Sequence, residues 1–117
     1  MATLPTIVPA RAAGEAADRG YLLDSAAADF RTHGPLPAGL RNVRFGYVES
    51  AGGGAMAIVC GEFQTADKPG EWTQFATLKT SKYEQYIGDE GFCSRPSWGW
   101  DKDDLSPELQ QRLDATR

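Results

Sequence analysis

The chain is poor in the residues that most simple catalytic and metal sites require. Its 117 residues include one histidine and two cysteines. A structural zinc site needs three or four nitrogen or sulfur ligands, and the chain contains only these three such residues. A cysteine–histidine nucleophilic pair would have to use His33, which we place in the last turn of a helix instead. We therefore assign no catalytic residue, no metal site and no cofactor from the sequence.

Clusters of positive charge and long apolar runs are also missing. The formal net charge is −4, with 12 basic and 16 acidic residues that are mixed along the chain. Affinity for duplex nucleic acid comes mainly from neutralised phosphates, so we do not expect nucleic acid as a partner. The longest apolar stretch covers residues 55–60, far short of a membrane span. We expect no membrane-spanning segment.

The first ten residues lack the basic and apolar regions of a signal peptide. They fit the start of a mature exported protein that carries an added Met1, which favours a periplasmic or secreted location. The alternative is a cytoplasmic protein. Residues 1–14 hold two prolines and a glycine and are predicted to form a disordered lead-in. Residues 15–117 are predicted to form a single domain.

Helical periodicity predicts a helix from Glu15 to His33, firm from about Tyr21 onward and stopped by Gly34 and Pro35. One apolar stripe marks its buried face, formed by Leu22, Leu23, Ala26, Ala27 and Phe30.

Three segments after this helix carry strand signals, at residues 41–49, 55–63 and 71–78, and residues 83–87 are a possible short fourth strand. The second segment is nearly all apolar and is predicted to be the central strand. Residues 88–100 are predicted to be an irregular aromatic loop. Ser106 is predicted to cap a last helix, with the acids of residues 101–104 favourable at its N-terminus and a calcium site as the alternative. The predicted fold is α+β: an N-terminal helix packed on a three- to four-stranded antiparallel meander, followed by a short C-terminal helix.

Cys60 and Cys93 are the only cysteines, one in a predicted strand and the other in a glycine-flanked loop. An even count in a small domain favours one disulfide between them. The alternative is two unpaired thiols, with Cys60 a small core residue. The spacing of a redox-active C-x-x-C pair is absent.

Two tryptophans, Trp98 and Trp100, flank a glycine in the predicted aromatic loop. Exposed tryptophan anchors protein, peptide or glycan partners, so both are candidate partner-binding residues. The alternative is that both cover the open face of a small sheet. Glu62 lies on the predicted central strand, where burial would raise the pKa of its carboxyl group and suit it to acid–base chemistry, with Glu71 as a second candidate.

Short motifs resemble those of a group of small proteobacterial and phage-associated proteins, many of which have signal peptides. They are Leu-Arg-Asn-Val-Arg at residues 40–44, Val-Cys-Gly-Glu-Phe-Gln at 59–64 and Trp-Thr-Gln-Phe at 72–75. The likeness covers residues 20–93. Gln64 stands where the group has asparagine, and Pro-Gly-Glu-Trp at 69–72 replaces a Gly-Gly-Tyr turn. The resemblance implies export, pairing of the cysteines and the same fold, and it transfers no activity.

These patterns lead to three hypotheses about function. The first is a small exported, non-enzymatic module that binds an unknown protein, peptide or glycan through the loop of Trp98 and Trp100. The second is a small carboxylate-dependent enzyme that uses Glu62 and Glu71. The third is a structural or assembly protein of a phage or secretion apparatus.

Overall fold

The computed structural model describes residues 10–115, with side chains from residue 14 onward except that of Trp98. It is an α+β fold in which two helices lie on one face of a five-stranded antiparallel sheet of order β4-β3-β2-β1-β5. The elements in chain order are α1 (Ala10–His33), β1 (Gly39–Glu49), β2 (Ala55–Gln64), β3 (Thr73–Lys79), β4 (Tyr83–Ile87), β5 (Ser97–Trp100) and α2 (Ser106–Asp114). The predicted fold class is confirmed, with one strand more than expected.

The first helix begins at Ala10 and not near Glu15. The apolar stripe marks only the part of α1 that packs on the sheet, whereas the alanine-rich segment before it is a good intrinsic helix former. Residues 10–14 are therefore helical, although they were predicted to belong to the disordered lead-in. Residues 1–9 lie outside the described part of the chain. No described helix has the length and apolar character needed to cross a membrane.

The main core lies between the helices and the sheet. Phe30 of α1 sits at its centre, with its ring 5.1 Å from the rings of both Phe63 and Phe75. The stripe predicted for α1 is wholly buried, as are three leucines at the end of the chain. The buried residues contributed by the helices are Leu22, Leu23, Ala26, Ala27, Phe30, Leu105, Leu109 and Leu113.

The fifth strand was predicted to be part of an irregular loop. Residues 97–100 pair with β1 on the side opposite β2, through register pairs that include Gly46 with Trp100. This strand has only four residues, and Gly99 within it has φ 139°. It is too short to show the alternation of apolar and polar residues by which a strand is recognised in a sequence. Its strand geometry comes from pairing with a segment about fifty residues earlier in the chain.

The connection from β4 to β5 crosses the face of the sheet that the helices leave open. It starts at one edge strand and ends at the other, so it must pass over β3, β2 and β1. Midway, a disulfide joins Cys93 to Cys60 of the central strand. The predicted disulfide is confirmed. Around it lies a second, smaller core of buried residues: Val48, Ile58, Cys60, Ala76, Leu78 and Cys93. We call this side of the sheet the disulfide face.

Candidate binding cleft

A cleft of about 880 Å³ opens on the disulfide face, beside the connection from β4 to β5 that we call the crossing loop. Strand residues of β1, β2 and β3 form its floor, the segment before β3 forms one wall, and the chain from β5 to α2 forms the other. We define the cleft by the lining residues Arg44, Glu62, Trp72, Gln74, Asp89 and Trp100. Its volume lies in the range of natural ligand pockets.

A β-bulge in β1 places two arginines on the disulfide face, and one of them, Arg44, lines the cleft. Arg41 pairs with Glu62 and Arg44 pairs with Cys60, so two residues of β1 stand opposite one residue of β2. Asn42 in the bulge has φ 54°, a left-handed conformation that asparagine tolerates better than most residues. In a regular strand, residues three apart point to opposite faces. The bulge brings Arg41 and Arg44 to the same face.

Glu62 is held by Arg41 and Asn42. The Arg41 guanidinium donates to both carboxylate oxygens, at 3.2 and 3.3 Å, and the Asn42 amide donates to one of them at 2.9 Å. Arg41 also lies over the ring of Trp72, 4.2 Å from its centroid. Hydrogen bonds from Arg41 and Asn42 lower the pKa of Glu62 and outweigh the effect of burial.

The prediction that the pKa of Glu62 is raised is therefore wrong. Its side chain is 31% exposed, and its partners are a cation and an amide donor, which both stabilise the charged form. Glu62 is a poor proton donor at neutral pH and orients Arg41 instead. Glu71, the other candidate acid, is an exposed residue in the turn before β3.

Arg44 and Trp100 repeat the stack of Arg41 and Trp72 at the other wall. The Arg44 guanidinium lies 4.3 Å from the centroid of the Trp100 ring. A Cβ at Gly46 would stand 2.6 Å from the Trp100 ring, so glycine allows the ring to lie against β1. Unlike Arg41, Arg44 has no ion pair with an acid in the described part of the structure. Its donors are therefore available to a ligand.

The acids between β5 and α2 mostly have structural partners. Asp101 forms an ion pair with Arg19 at 3.2 Å. Asp104 accepts hydrogen bonds from the backbone N–H and the hydroxyl of Ser106, at 2.9 and 2.5 Å. The Ser106 hydroxyl lowers the pKa of Asp104. Among the residues from 10 to 115, no group of three or more acids, histidines or cysteines has the geometry to hold a metal ion.

Ser106 was predicted to be the helix cap. It is instead the first residue of α2, after Leu105 as N-cap. Its hydroxyl accepts a hydrogen bond from the backbone N–H of Val43, at 3.2 Å, which ties the helix start to β1. The acids of residues 101–104 were predicted to interact with the N-terminus of the last helix, and Asp104 does so through Ser106.

The structure describes the side chain of only one of the two candidate tryptophans. Trp100 is half-buried, packs against the second core and lines the cleft. The backbone of Trp98 lies in β5, but its side chain is outside the described part of the structure. His33 is an exposed residue at the end of α1, 3.8 Å from Asp29, and the disulfide leaves no thiol for it to activate.

Sequence reasoning missed Arg41, Arg44 and Trp72 as site residues. The bulge that aligns the arginines had one local signal, an asparagine in the middle of a strand pattern. Trp72 comes next to Arg41 only after β2 and β3 have paired.

Comparison with known proteins adds no relative: no family model, curated protein or solved structure matches this chain.

Proposed function

We propose that the protein is an exported, non-enzymatic binding module, and that the cleft between Trp72 and Trp100 holds its partner. The observation that carries the proposal is the pair of arginine–tryptophan stacks, one on each wall. Tryptophan and arginine are the residues most enriched at binding hot spots.

The ligand we favour is a short peptide segment of a partner protein that carries a carboxylate. The Arg41 stack already holds a carboxylate, that of Glu62. The Arg44 stack has the same chemistry with no acid bound to it in the described part of the chain. A glutamate or aspartate side chain of the ligand would complete it through charge-assisted hydrogen bonds. Acids on the rim, such as Asp89 and Asp103, disfavour a ligand with many negative charges.

Rigidity supports the binding role. The floor is a three-strand section of sheet, and the crossing loop that starts near Asp89 is tied to this floor by the bond from Cys93 to Cys60. A site that is ordered before binding loses less conformational entropy when the ligand arrives.

Export is supported by the disulfide, because such bonds persist mainly in oxidising compartments. The resemblance to exported proteobacterial and phage-associated proteins points the same way. We therefore propose a periplasmic or secreted location.

The competing enzyme hypothesis depended on Glu62 as an acid or base. The contacts with Arg41 and Asn42 stabilise its charged form and remove that support. Binding is the function that the cleft supports better.

A displayed library of random peptides tests the proposal. The native protein should enrich peptides that contain an acidic residue, and the variant Arg44→Gln should lose this preference. Arg31→Gln, at an exposed arginine of α1, is the matched control and should select the same peptides as the native protein. We expect the enriched peptides to bind Arg44→Gln at least about tenfold more weakly, as for loss of a charge-assisted contact.

Two results would contradict the peptide proposal. One is that the native protein enriches nothing beyond what Arg44→Gln enriches. The other is that a glycan array yields binders that depend on Trp72 and Trp100 while the peptide library yields none, which would keep the cleft as a binding site and replace the ligand class.

A further inference from the structure

The open edge of β4 carries unpaired backbone groups. The N–H of Gly88 donates to the carbonyl oxygen of Gln74 at 2.7 Å, and β4 continues this register along β3. Hydrogen-bonded pairs alternate along an antiparallel ladder. The N–H and C=O groups of Tyr83, Gln85 and Ile87 therefore point away from β3, and no described strand pairs with them.

Exposed apolar side chains collect along the same edge. The described residues include three large exposed hydrophobic side chains, and two of them are Ile87 and Tyr21, each 39% exposed. Ile87 is on β4. Tyr21 lies close enough to Tyr83 of β4 to contribute to its raised pKa, which burial and a hydrogen bond to Asp29 mainly cause. An edge strand with uncovered apolar neighbours is the type of edge that other strands join.

The two ends of this edge differ in charge. Lys82 precedes β4, and Asp89 and Glu90 follow it. An antiparallel copy of the same edge would place the basic end of each chain beside the acidic end of the other. A parallel arrangement would place like charges together.

We propose that the β4 edge pairs antiparallel with the β4 edge of a second copy of this chain, around a two-fold axis at Gln85. In this register Tyr83 stands opposite Ile87 of the second copy, on the helix side of the sheet. Ile87 would then cover Tyr83 and its neighbour Tyr21. The two five-stranded sheets would form one continuous ten-stranded sheet, an isologous contact of the kind that closes a dimer.

Gln85, at the axis, has a side-chain polar group without a hydrogen-bond partner among the described residues. The Gln85 side-chain oxygen accepts from the Thr77 hydroxyl at 2.9 Å, while its buried Nε2 has no hydrogen-bond partner among the described residues. Residues opposite each other in a hydrogen-bonded pair lie about 5.5 Å apart at Cα. A rotation of the Gln85 side chain on pairing would let this amide donate to the side-chain oxygen of Gln85 of the second copy.

One contact opposes the pairing. Glu84 stands on the disulfide face, and the two copies of this carboxylate would approach diagonally across the axis. Each accepts a hydrogen bond from Tyr86 of its own chain, which holds it at the surface. This predicts that Glu84→Gln strengthens the dimer.

The dimer should be weak because two five-residue edges bury less than the roughly 1,000 Å² expected of a stable interface. Sedimentation equilibrium over roughly 1 µM to 1 mM covers the micromolar to millimolar range of dissociation constants that an interface of this size suggests. We expect reversible dimers, with a dissociation constant lowered by Glu84→Gln.

Two variants with opposite charges at the axis distinguish a chain that no longer pairs from a chain that no longer folds. Gln85→Lys and Gln85→Glu should each be monomeric alone, and a mixture of the two should form the heterodimer. Ser97→Lys on the opposite edge strand is the control and should leave the dimer unchanged. A native protein that stays monomeric up to 1 mM would overturn the proposal, as would a dimer that both axis variants retain or that the mixture fails to restore.

Discussion

The disulfide between Cys60 and Cys93 should supply a large share of the stability of this domain. The bond spans 33 residues of sequence, from the central strand to the middle of the crossing loop. Closing a loop of this length restricts the unfolded chain by about 3.7 kcal/mol on the chain-entropy model. At this chain length, such a loss corresponds to a melting temperature lower by roughly 15 °C.

The double variant Cys60→Ala/Cys93→Ala is the appropriate perturbation. Alanine avoids placing a serine hydroxyl at the buried position of Cys60, where it would need a hydrogen-bond partner. Urea denaturation of the native oxidised protein, the native reduced protein and the double variant gives three free energies of unfolding. The reduced protein and the double variant should agree, because both lose the same restriction of the unfolded chain.

The slope of the urea transition provides a second check. Without the bond the unfolded chain expands and exposes more surface, so the slope should be steeper in the double variant. A loss of less than about 1 kcal/mol with unchanged slope would refute the reasoning, since it would mean that the bond barely restricts the unfolded chain. Two free thiols in protein made under oxidising conditions would refute it directly.

Three further perturbations test the core, the cleft wall and the cleft floor. Phe30→Ala should lower the free energy of unfolding by about 3–5 kcal/mol in chemical denaturation, because it empties the centre of the main core. Gly46→Ala should cost about 1–3 kcal/mol and change the near-ultraviolet dichroism of Trp100, whose ring occupies the space of the new methyl group. Glu62 has a lowered pKa when folded, so its stabilisation is present above its unfolded value of 4.5 and is lost as the pH falls through the folded value. Glu62→Gln should therefore lower stability at pH 7 and flatten the decline in stability below pH 4.5, measured by urea denaturation across pH; an unchanged pH profile would contradict the pairing with Arg41.

The helical elements were predictable because their signals are local. The stripe from Leu22 to Phe30 gave the buried face of α1, and Gly34 with Pro35 gave its end, as the structure has them. The first four strands were also predictable, since each is a run of strand-forming residues bounded by turn residues. The central position predicted for the second strand segment is correct as well, since β2 is the middle strand of the sheet and has Val59 in the main core and Ile58 in the second core.

The features that sequence reasoning missed depend on contacts distant in the chain. The fifth strand exists because β1 offers an edge to residues 97–100. The site escaped detection because a bulge at Asn42 changed the direction of Arg41 relative to a regular alternation. The pKa of Glu62 was expected to be raised because a central strand suggested burial, whereas Arg41 and Asn42 determine it. In each case the cause is pairing between strands, which a local pattern does not contain.

The binding cleft is the central claim, and amide chemical-shift mapping with an enriched acidic peptide tests it most directly. We expect the largest changes at the backbone of Gln74, Asp89 and residues 101–104 and at the indole N–H groups of Trp72 and Trp100, which belong to the cleft walls and floor. Residues of α1 and α2 that face away from the sheet should keep their shifts. Changes confined to the helical side, or no saturable change at any residue, would contradict the claim that this cleft is where the protein binds its partner.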